Sequence, residues 1–346
     1  MRVLIVRIGA MGDVLHAMPA VAALRAAHPD WFLGWALEPR WSDLLQIVGD
    51  PDDLSLGIRI GSKAMVDRWY SIPTRAWKRR PLSTNTLREI RALRKVLRDE
   101  KFDLCVDMQG AIKSAAVGLL AEAKMFAGSA EPRERAARIF YDKKLEVTAA
   151  HVVEQGCELL GGALGEVLQP ARVPLPMNEE AENWADGVVG RERFCLISPG
   201  AGWGAKVWPA DRMGRVAAEV GRAGVRTVVN ASVNGSPEAD EVVAKSEGFA
   251  RAVPCSVAQL IALVRRAAVV IAGDTGPLHL AAALERPVVA IFGPTDPARN
   301  GPYGTRSRVF RDATSETSHK RRSQTEAGML QIGADEVAAA ALELLG

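Results

Sequence analysis

Short apolar runs with strand character alternate along this chain with longer segments of helical periodicity. In the first half such runs occur at 2–7, 31–37 and 103–107, and helical patterns follow the first and the last of them. The second half repeats the pattern, with runs at 194–198, 226–230, 269–273 and 288–292. Strands that alternate with helices of about 10–15 residues are typical of parallel sheets. The pattern therefore predicts an α/β protein with a parallel sheet in each half.

The length of the chain, 346 residues, suits two domains of about 170 residues each. A Pro-rich stretch without periodicity, at 169–180, separates the two halves of the pattern. We therefore expect an N-terminal lobe over 1–168, a C-terminal lobe over 181–346 and a ligand cleft between them. An amphipathic pattern at 334–345 predicts a last helix, which could pack back on the N-terminal lobe. The polar, aperiodic segment 312–328 predicts a mobile surface loop.

Charge is distributed unevenly along a chain of otherwise ordinary globular composition. The net charge is only +3, yet the stretch 59–101 holds thirteen Lys and Arg against four Asp and Glu. Such a basic field suits an anionic partner or an anionic membrane face. The part at 75–80, RAWKRR, lacks periodicity and predicts a basic loop, whereas 88–101 has helical spacing and is also compatible with a plain solvated helix face.

Several features exclude other classes of protein. Arg7 and Asp13 interrupt the apolar N-terminus too early for a signal peptide, and no stretch reaches the roughly 18 apolar residues of a membrane span. The four cysteines lie far apart without a CxxC pair, which argues against a zinc site or a redox dithiol. We therefore expect a cytoplasmic protein that is soluble or peripherally attached to a membrane.

The strongest candidate site is the sequence GDTGPLHLAAA at 273–283. A buried strand runs into Asp274, Thr275 and Gly276, and Pro277 is well suited to the first helical position. The backbone N–H groups and the positive end of the helix dipole would favour an anion such as a diphosphate. His279 in the first turn could add a hydrogen bond. The alternative is ordinary N-capping by Asp274 or Thr275.

A Gly-rich loop, PGAGWGAK at 199–206, follows the first predicted strand of the second half. Its glycines would let the backbone approach a ligand closely, and Lys206 supplies a cation. A flexible turn with a solvated lysine is the alternative. Two such loops in one lobe favour a nucleotide-diphosphate site there.

The N-terminal loop GAMGD at 9–13 differs from both. It lacks the GxGxxG spacing of a dinucleotide site, and it places the carboxylate of Asp13 where a phosphate would lie. A carboxylate at this position could act as a general base. It could equally be a helix-start carboxylate that complements the dipole, and the two roles are compatible.

Metal binding is not expected. Asp50 and Asp52 match a DxD pattern, but Asp-Pro-Asp is ordinary turn chemistry and no second acidic cluster completes a site. His28 and His319 fall in loop-like segments and are expected at the surface.

Taken together, these motifs resemble glycosyltransferase family 9, the ADP-heptose heptosyltransferases. The resemblance rests on residues 1–25 and 273–297, with shorter matches at 35–38, 107–116 and 140–144. It implies a GT-B fold, with two Rossmann-like parallel-sheet lobes facing a central cleft. It further implies inverting transfer of L-glycero-D-manno-heptose from ADP-heptose to Kdo of Kdo-lipid A at the cytoplasmic face of the inner membrane, without a metal or cofactor and without nucleic acid.

Carried over position by position, the resemblance gives each candidate residue a role. The catalytic base is Asp13. The donor-binding residues are Lys206, Glu238, Asp274, Thr275, Gly276 and His279, with Glu241 as an alternative to Glu238. The acceptor-binding residues are Arg75, Arg79 and Lys143, where arginine is more usual at the last position. An arginine expected in the helix after Lys113 has no counterpart in this sequence.

Three alternatives stay open on the sequence. A nicotinamide-dependent oxidoreductase would need the missing GxGxxG, although Glu38 could serve as its ribose-binding acid. A two-lobed binding protein without catalysis would not need Asp13. A related family member could add a later heptose or use another acceptor.

Overall fold

The computed structural model describes residues 1–46, 57–318, 320 and 322–346. The chain forms two compact units, Met1–Pro176 and Met177–Gly346. The boundary lies in the Pro-rich stretch at 169–180, where the chain has little periodicity to support a helix or a strand.

The first unit is built on one six-stranded parallel sheet. Its strands are β1 (Arg2–Val6), β2 (Phe32–Leu37), β5 (Arg68–Ser71), β6 (Leu104–Asp107), β7 (Met125–Ser129) and β8 (Lys143–Leu145), in the spatial order β5-β2-β1-β6-β7-β8. A separate hairpin joins β3 (Arg59–Ile60) and β4 (Lys63–Ala64). The helices are α1 (Met11–Ala27), α2 (Thr74–Arg79), α3 (Thr84–Asp99), α4 (Ile112–Leu120) and α5 (Val152–Leu164).

The second unit repeats the design. Its strands are β9 (Phe194–Ser198), β10 (Arg226–Ala231), β11 (Ala250–Pro254), β12 (Val269–Gly273), β13 (Val288–Phe292) and β14 (Ser307–Arg311), in the order β11-β10-β9-β12-β13-β14. The helices are α6 (Glu179–Val189), α7 (Ala210–Arg222), α8 (Pro237–Ala244), α9 (Val257–Arg266), α10 (Gly276–Ala283), α11 (Pro297–Asn300) and α12 (Ala334–Leu345).

The strand order places a topological switch point in each sheet. In the first unit the chain moves outward on both sides of the β1–β6 pair, and in the second on both sides of the β9–β12 pair. Ligands of open α/β sheets bind at the carboxyl ends of the strands beside such a point. The two predicted parallel sheets are confirmed, and the candidate motifs at 9–13, 199–206 and 273–283 all lie at or just beyond the ends of switch-point strands.

One local expectation needs correction, and the structure adds detail to two others. The segment 75–80 is not a loop, because α2 spans Thr74–Arg79. The described residues of 312–327 form a mostly exposed loop, as expected, but Ser315 is buried and Thr325 Oγ1 donates to the Val207 carbonyl at 2.9 Å. In the last helix, α12, the side chains of Val337, Ala341 and Leu344 are buried in the core of the second unit.

Candidate active site

In the first unit, Asp13 lies in the first turn of α1, at the carboxyl end of β1. One of its carboxylate oxygens, Oδ2, accepts a hydrogen bond from the Ala10 amide at 2.9 Å. The loop before it passes through Gly9, whose φ of +149° favours glycine. A Cβ on Gly9 would lie 2.6 Å from the indole nitrogen of Trp41. The helix-start role of Asp13 is therefore present in the structure, and its side chain remains 31% exposed.

Arg7 holds the second oxygen of this carboxylate, a contact that the sequence analysis missed. Its Nη2 atom donates to Asp13 Oδ1 at 2.8 Å, and its Nε donates to the Asp13 carbonyl at 3.0 Å. Its Nη1 donates to the Met108 carbonyl, just beyond β6. Arg7 thus joins the two switch-point strands and fixes the Asp13 side chain. The basic residue at the end of an apolar strand was the signal for this contact.

A buried carboxylate, that of Asp107, lies at the same edge of the sheet, at the last residue of β6. Asp107 accepts hydrogen bonds from Tyr141 Oη at 2.8 Å, from Ser114 Oγ at 2.9 Å and from the amide of Gln109 at 2.8 Å. Burial raises the pKa of Asp107, and these hydrogen bonds oppose the rise. Because the members of this network form hydrogen bonds with one another, we infer that the network holds the loop after β6 in shape.

The predicted acceptor residues Arg75 and Arg79 lie on α2, and Glu38 anchors that helix. Glu38 follows β2 and is buried; its carboxylate accepts from Thr74 Oγ1 at 2.6 Å and from the Arg75 amide at 3.5 Å. Its own amide donates to the Ile8 carbonyl at 3.0 Å. Glu38 therefore attaches the start of α2 to the loop that carries Asp13. This contact, between residues far apart in sequence, fixes the start of a helix in a stretch without periodicity.

Lys143 lies on β8 and makes a different kind of contact. Its ammonium group donates to the carbonyls of Gly162 at 2.8 Å and Ala163 at 3.3 Å, in the last turn of α5. A cation at a helix C-terminus stabilises the unpaired carbonyls and the helix dipole. The structure therefore gives Lys143 a helix-capping contact.

In the second unit, three predicted donor residues form one buried cluster. Asp274 follows β12, and Lys206 follows β9 in the Gly-rich loop; the Lys206 ammonium is paired with Asp274 Oδ2. His279 Nε2 lies 3.0 Å from Asp274 Oδ1. Burial opposes ionisation of Asp274, but the hydrogen bond and charge of His279 and the charge of Lys206 outweigh it and hold the pKa of Asp274 well below its ordinary value. The carboxylate thus holds two potential cations together at the switch point.

The start of α10 carries no side-chain cap. The Asp274 carboxylate is directed to Lys206 and His279, and the Thr275 hydroxyl donates to the Gly273 carbonyl at 3.2 Å. Plain N-capping, the alternative for this motif, is therefore not what the structure has. The positive end of an eight-residue helix lies beside Lys206 and His279, and this arrangement suits a diphosphate.

Glu238 lies apart from this cluster, in the first turn of α8 after β10. Its carboxylate accepts from Ser236 Oγ at 3.1 Å, and the side chain is half-buried. Glu241 lies one turn further along α8 and is exposed. Since β10 neighbours β9 in the sheet, Glu238 is at the carboxyl edge that also carries the Gly-rich loop.

The remaining candidates concern metals and membranes. In the part of the chain that the structure describes, no three His, Cys, Asp or Glu side chains are grouped as metal ligands. Asp50, Asp52 and His319 lie outside the described residues. His28 is stacked on Trp31 and bonded to Glu166. Across the same described residues, no helix has the length and apolar character needed to cross a bilayer.

Comparison with known proteins gives a consistent result. The model of glycosyltransferase family 9 (heptosyltransferase) matches residues 90–330. Lipopolysaccharide heptosyltransferase 1 of Escherichia coli K12 is 30% identical over 334 residues, which cover 90% of this chain and 93% of that protein. The structure of the E. coli heptosyltransferase WaaC with ADP superimposes with a TM-score of 0.77, at 27% identity, over 99% of this chain and 100% of that one.

A second solved structure was determined with a donor analogue. It is E. coli WaaC with ADP-2-deoxy-2-fluoro heptose, and it superimposes with a TM-score of 0.71 at 27% identity, over 96% of this chain and 98% of that one.

Proposed function

This chain belongs to glycosyltransferase family 9, the heptosyltransferases of lipopolysaccharide core biosynthesis, and on that premise we propose that it transfers L-glycero-D-manno-heptose from ADP-heptose to Kdo of Kdo-lipid A. The donor is supported by the relatives solved with ADP and with ADP-2-deoxy-2-fluoro heptose. The step is supported by the names of four relatives that cover 88–92% of the chain, each a lipopolysaccharide heptosyltransferase 1. A fifth relative, 23% identical over 88% of the chain, is named lipopolysaccharide core heptosyltransferase OpsX.

The observation that carries the proposal is the buried Lys206–Asp274–His279 cluster beside the uncapped start of α10. In the proposed reaction the bond between the anomeric carbon and the diphosphate oxygen breaks, and its electron pair leaves on ADP. Lys206, His279 and the helix end stabilise the charge that gathers on the leaving diphosphate. Glu238 holds the ribose hydroxyls. Preorganised donors are effective here because they need no rearrangement as the charge develops.

Asp13 acts as the general base in this proposal. It takes the proton of the acceptor hydroxyl while that oxygen attacks the anomeric carbon from the face opposite the leaving group, so the configuration inverts. Its hydrogen bonds to Arg7 and Ala10 orient the carboxylate. Arg7 is thus a positioning residue for the base.

Arg75 and Arg79 on α2 bind the carboxylates and phosphates of the acceptor. Lys143 has no part in this proposal, because its ammonium group is bonded to the last turn of α5. Both arginines are exposed, so they are accessible to a large anionic lipid.

The direct test is an assay of the purified protein with ADP-heptose and two acceptors, Kdo-lipid A and the same acceptor already carrying one heptose. We expect ADP release and a heptosylated product with the first acceptor only. Product with the second acceptor alone would assign the chain to a later heptose. If neither acceptor leads to ADP release, the acceptor proposal is overturned.

We also propose that α3 contacts the anionic surface in which the acceptor is embedded. Arg88, Arg91 and Lys95 follow one another at spacings of three and four, so they share one face of the helix, while Leu97 is buried on the opposite side. Leu82, just before the helix, is 87% exposed. Basic side chains beside an exposed apolar one are typical of a membrane-surface helix.

Sedimentation with phosphatidylglycerol vesicles tests this contact. We expect Arg88→Gln with Arg91→Gln to weaken binding at low salt by roughly ten-fold or more, since each basic residue near such a surface contributes about 1 kcal/mol. The control is Arg191→Gln with Lys245→Gln, which removes the same charge from exposed positions of the second unit. Equal losses from both pairs would mean that net charge, not α3, determines binding.

A further inference from the structure

The segment Arg322–Glu326 lies against the Gly-rich loop that carries Lys206. The Ala205 amide donates to the Arg322 carbonyl at 3.1 Å, and the Glu326 amide donates to the Ala205 carbonyl at 3.3 Å. Both backbone groups of the residue before Lys206 are therefore bonded to this segment.

The residue after Lys206 is held in the same way. Thr325 Oγ1 donates to the Val207 carbonyl at 2.9 Å. On the other side of the loop, a Cβ on Gly273 would lie 3.0 Å from the Lys206 carbonyl oxygen, so the end of β12 packs closely against the lysine backbone. Lys206 is thus enclosed between the segment and the switch-point strand.

The segment Arg322–Glu326 packs so closely against the Gly-rich loop that Gly204 has no space for a side chain. A Cβ on Gly204 would lie 1.8 Å from the Ser323 carbonyl oxygen, a distance that real atoms do not reach. Glycine at this position is therefore needed for the segment to approach.

The segment is itself anchored in the second unit. Glu326 Oε2 accepts from Ser315 Oγ at 3.0 Å and from the Met329 amide at 3.1 Å, and Met329 is fully buried. Arg311 at the end of β14 donates to the Ser315 carbonyl at 2.9 Å. These contacts join the segment to the core of the second unit.

We infer that Arg322–Glu326 is a positioning element of the donor site, which fixes Lys206 where it meets the diphosphate, with Thr325 as its most specific contact. The inference rests on the proposed function of Lys206. It assigns to residues 322–326 a part in donor binding that the polar, aperiodic sequence there does not indicate.

The test is the affinity of the full-length protein for ADP, measured by titration calorimetry. Thr325→Val keeps the shape of the side chain and removes its donor, leaving the Val207 carbonyl without this partner. We expect the Kd for ADP to rise roughly three- to ten-fold, the range of a lost hydrogen bond. Thr325→Ser retains the hydroxyl and should restore the wild-type affinity.

Two controls separate a specific effect from a general one. Thr314→Val removes a hydroxyl that donates to Asp312, outside Arg322–Glu326 and away from the Gly-rich loop, and should leave the Kd unchanged. In a Lys206→Ala background, Thr325→Val should have little further effect, because Thr325 acts through the lysine.

The outcomes distinguish the inference from the proposed function. Failure of the wild-type protein to bind ADP would overturn the proposed donor. Binding by the wild type with the same Kd for Thr325→Val, or an undiminished effect in the Lys206→Ala background, would overturn the positioning role. A melting curve of each variant identifies any loss that comes from unfolding.

Discussion

At the scale of single residues, the candidate chemistry depends on carboxylates with different partners. Asp13 is partly exposed and forms an ion pair with one arginine, whereas Asp274 is buried between a lysine and a histidine. An exposed carboxylate can accept a proton from a substrate, but a buried and paired one serves to hold its partners. The two residues therefore lead to different predictions.

Replacing Asp13 should abolish turnover while donor binding persists. Removal of a general base typically lowers the rate about 10² to 10⁴-fold. We expect this fall in kcat for Asp13→Ala and Asp13→Asn, with the Kd for ADP within a few-fold of wild type. Asp13→Asn keeps an acceptor for the Ala10 amide, so it separates catalysis from helix stability. Asp30→Ala, at an exposed position, is the control. A near-normal kcat in Asp13→Asn would leave Asp13 with its helix-start role alone.

Replacing Asp274 should destabilise the second unit in a pH-dependent manner. A carboxyl group whose pKa is lower in the folded than in the unfolded chain stabilises the fold above its ordinary pKa, and this contribution is lost as the pH falls towards the folded value. Urea unfolding of Asp274→Asn should therefore show a loss of about 3–5 kcal/mol near neutral pH, the range for breaking a buried pair. The difference from wild type should shrink as the pH falls below the ordinary carboxyl pKa. A difference that does not change with pH would mean that the charge of Asp274 is not what stabilises the cluster.

At the scale of elements, α2 shows how a contact with Glu38 fixes the position of a charged segment. Glu38 attaches the start of this helix to the loop of Asp13. The next helix, α3, continues the basic stretch and is joined to α2 by a hydrogen bond from Trp77 Nε1 to Glu89 at 2.7 Å. The nine excess positive charges of residues 59–101 are thus distributed over structurally distinct elements. We assign acceptor recognition to α2 and membrane contact to α3.

The arginines of α2 should determine acceptor affinity. We expect Arg75→Ala with Arg79→Ala to raise the KM for Kdo-lipid A roughly ten-fold and to leave the donor KM unchanged, because each exposed charge pair contributes on the order of 1 kcal/mol or less. The effect should weaken at high salt. The matched control is Arg135→Ala with Arg138→Ala, exposed on the same unit. An unchanged acceptor KM at low salt would mean that the arginines of α2 face solvent and do not bind the acceptor.

At the scale of the whole molecule, two units share one strand order and divide the proposed chemistry between them. The first has the candidate base at its β1–β6 switch point, and the second has the candidate donor residues at its β9–β12 switch point. Parallel sheets direct their strand ends and helix starts to one edge, so each unit concentrates its polar groups there. The fold thereby explains why the candidate residues of each unit come from separate stretches of sequence.

Activity should persist in the presence of EDTA. In the proposed mechanism Lys206, His279 and the start of α10 stabilise the leaving diphosphate, so a divalent cation is not required. The initial rate with and without EDTA, and after addition of magnesium or manganese, checks this. Loss of activity that either metal restores would revive Asp50 and Asp52 as candidate ligands.

The sequence by itself determined the elements and the motifs. Apolar runs predicted strands such as β1, β9, β12 and β13, because a strand buried on both faces needs an unbroken apolar run. The Gly-rich loop and the start of α10 were also recognisable, since turn residues and Pro at a helix start are local signals. These features depend on neighbours in the chain, which a sequence displays directly.

The tertiary structure decided which side chains meet. Arg7 and Met108 are 101 residues apart, Lys206 and Asp274 are 68 apart, and Thr325 and Val207 are 118 apart. No periodicity in the sequence connects such pairs. The helix α2 is held partly by the carboxylate of Glu38, which follows β2 and accepts a hydrogen bond from Thr74 at the helix start. The segment Arg322–Glu326 is bonded to residues 205 and 207 through its backbone and the Thr325 hydroxyl, and these contacts join stretches that are far apart in the sequence.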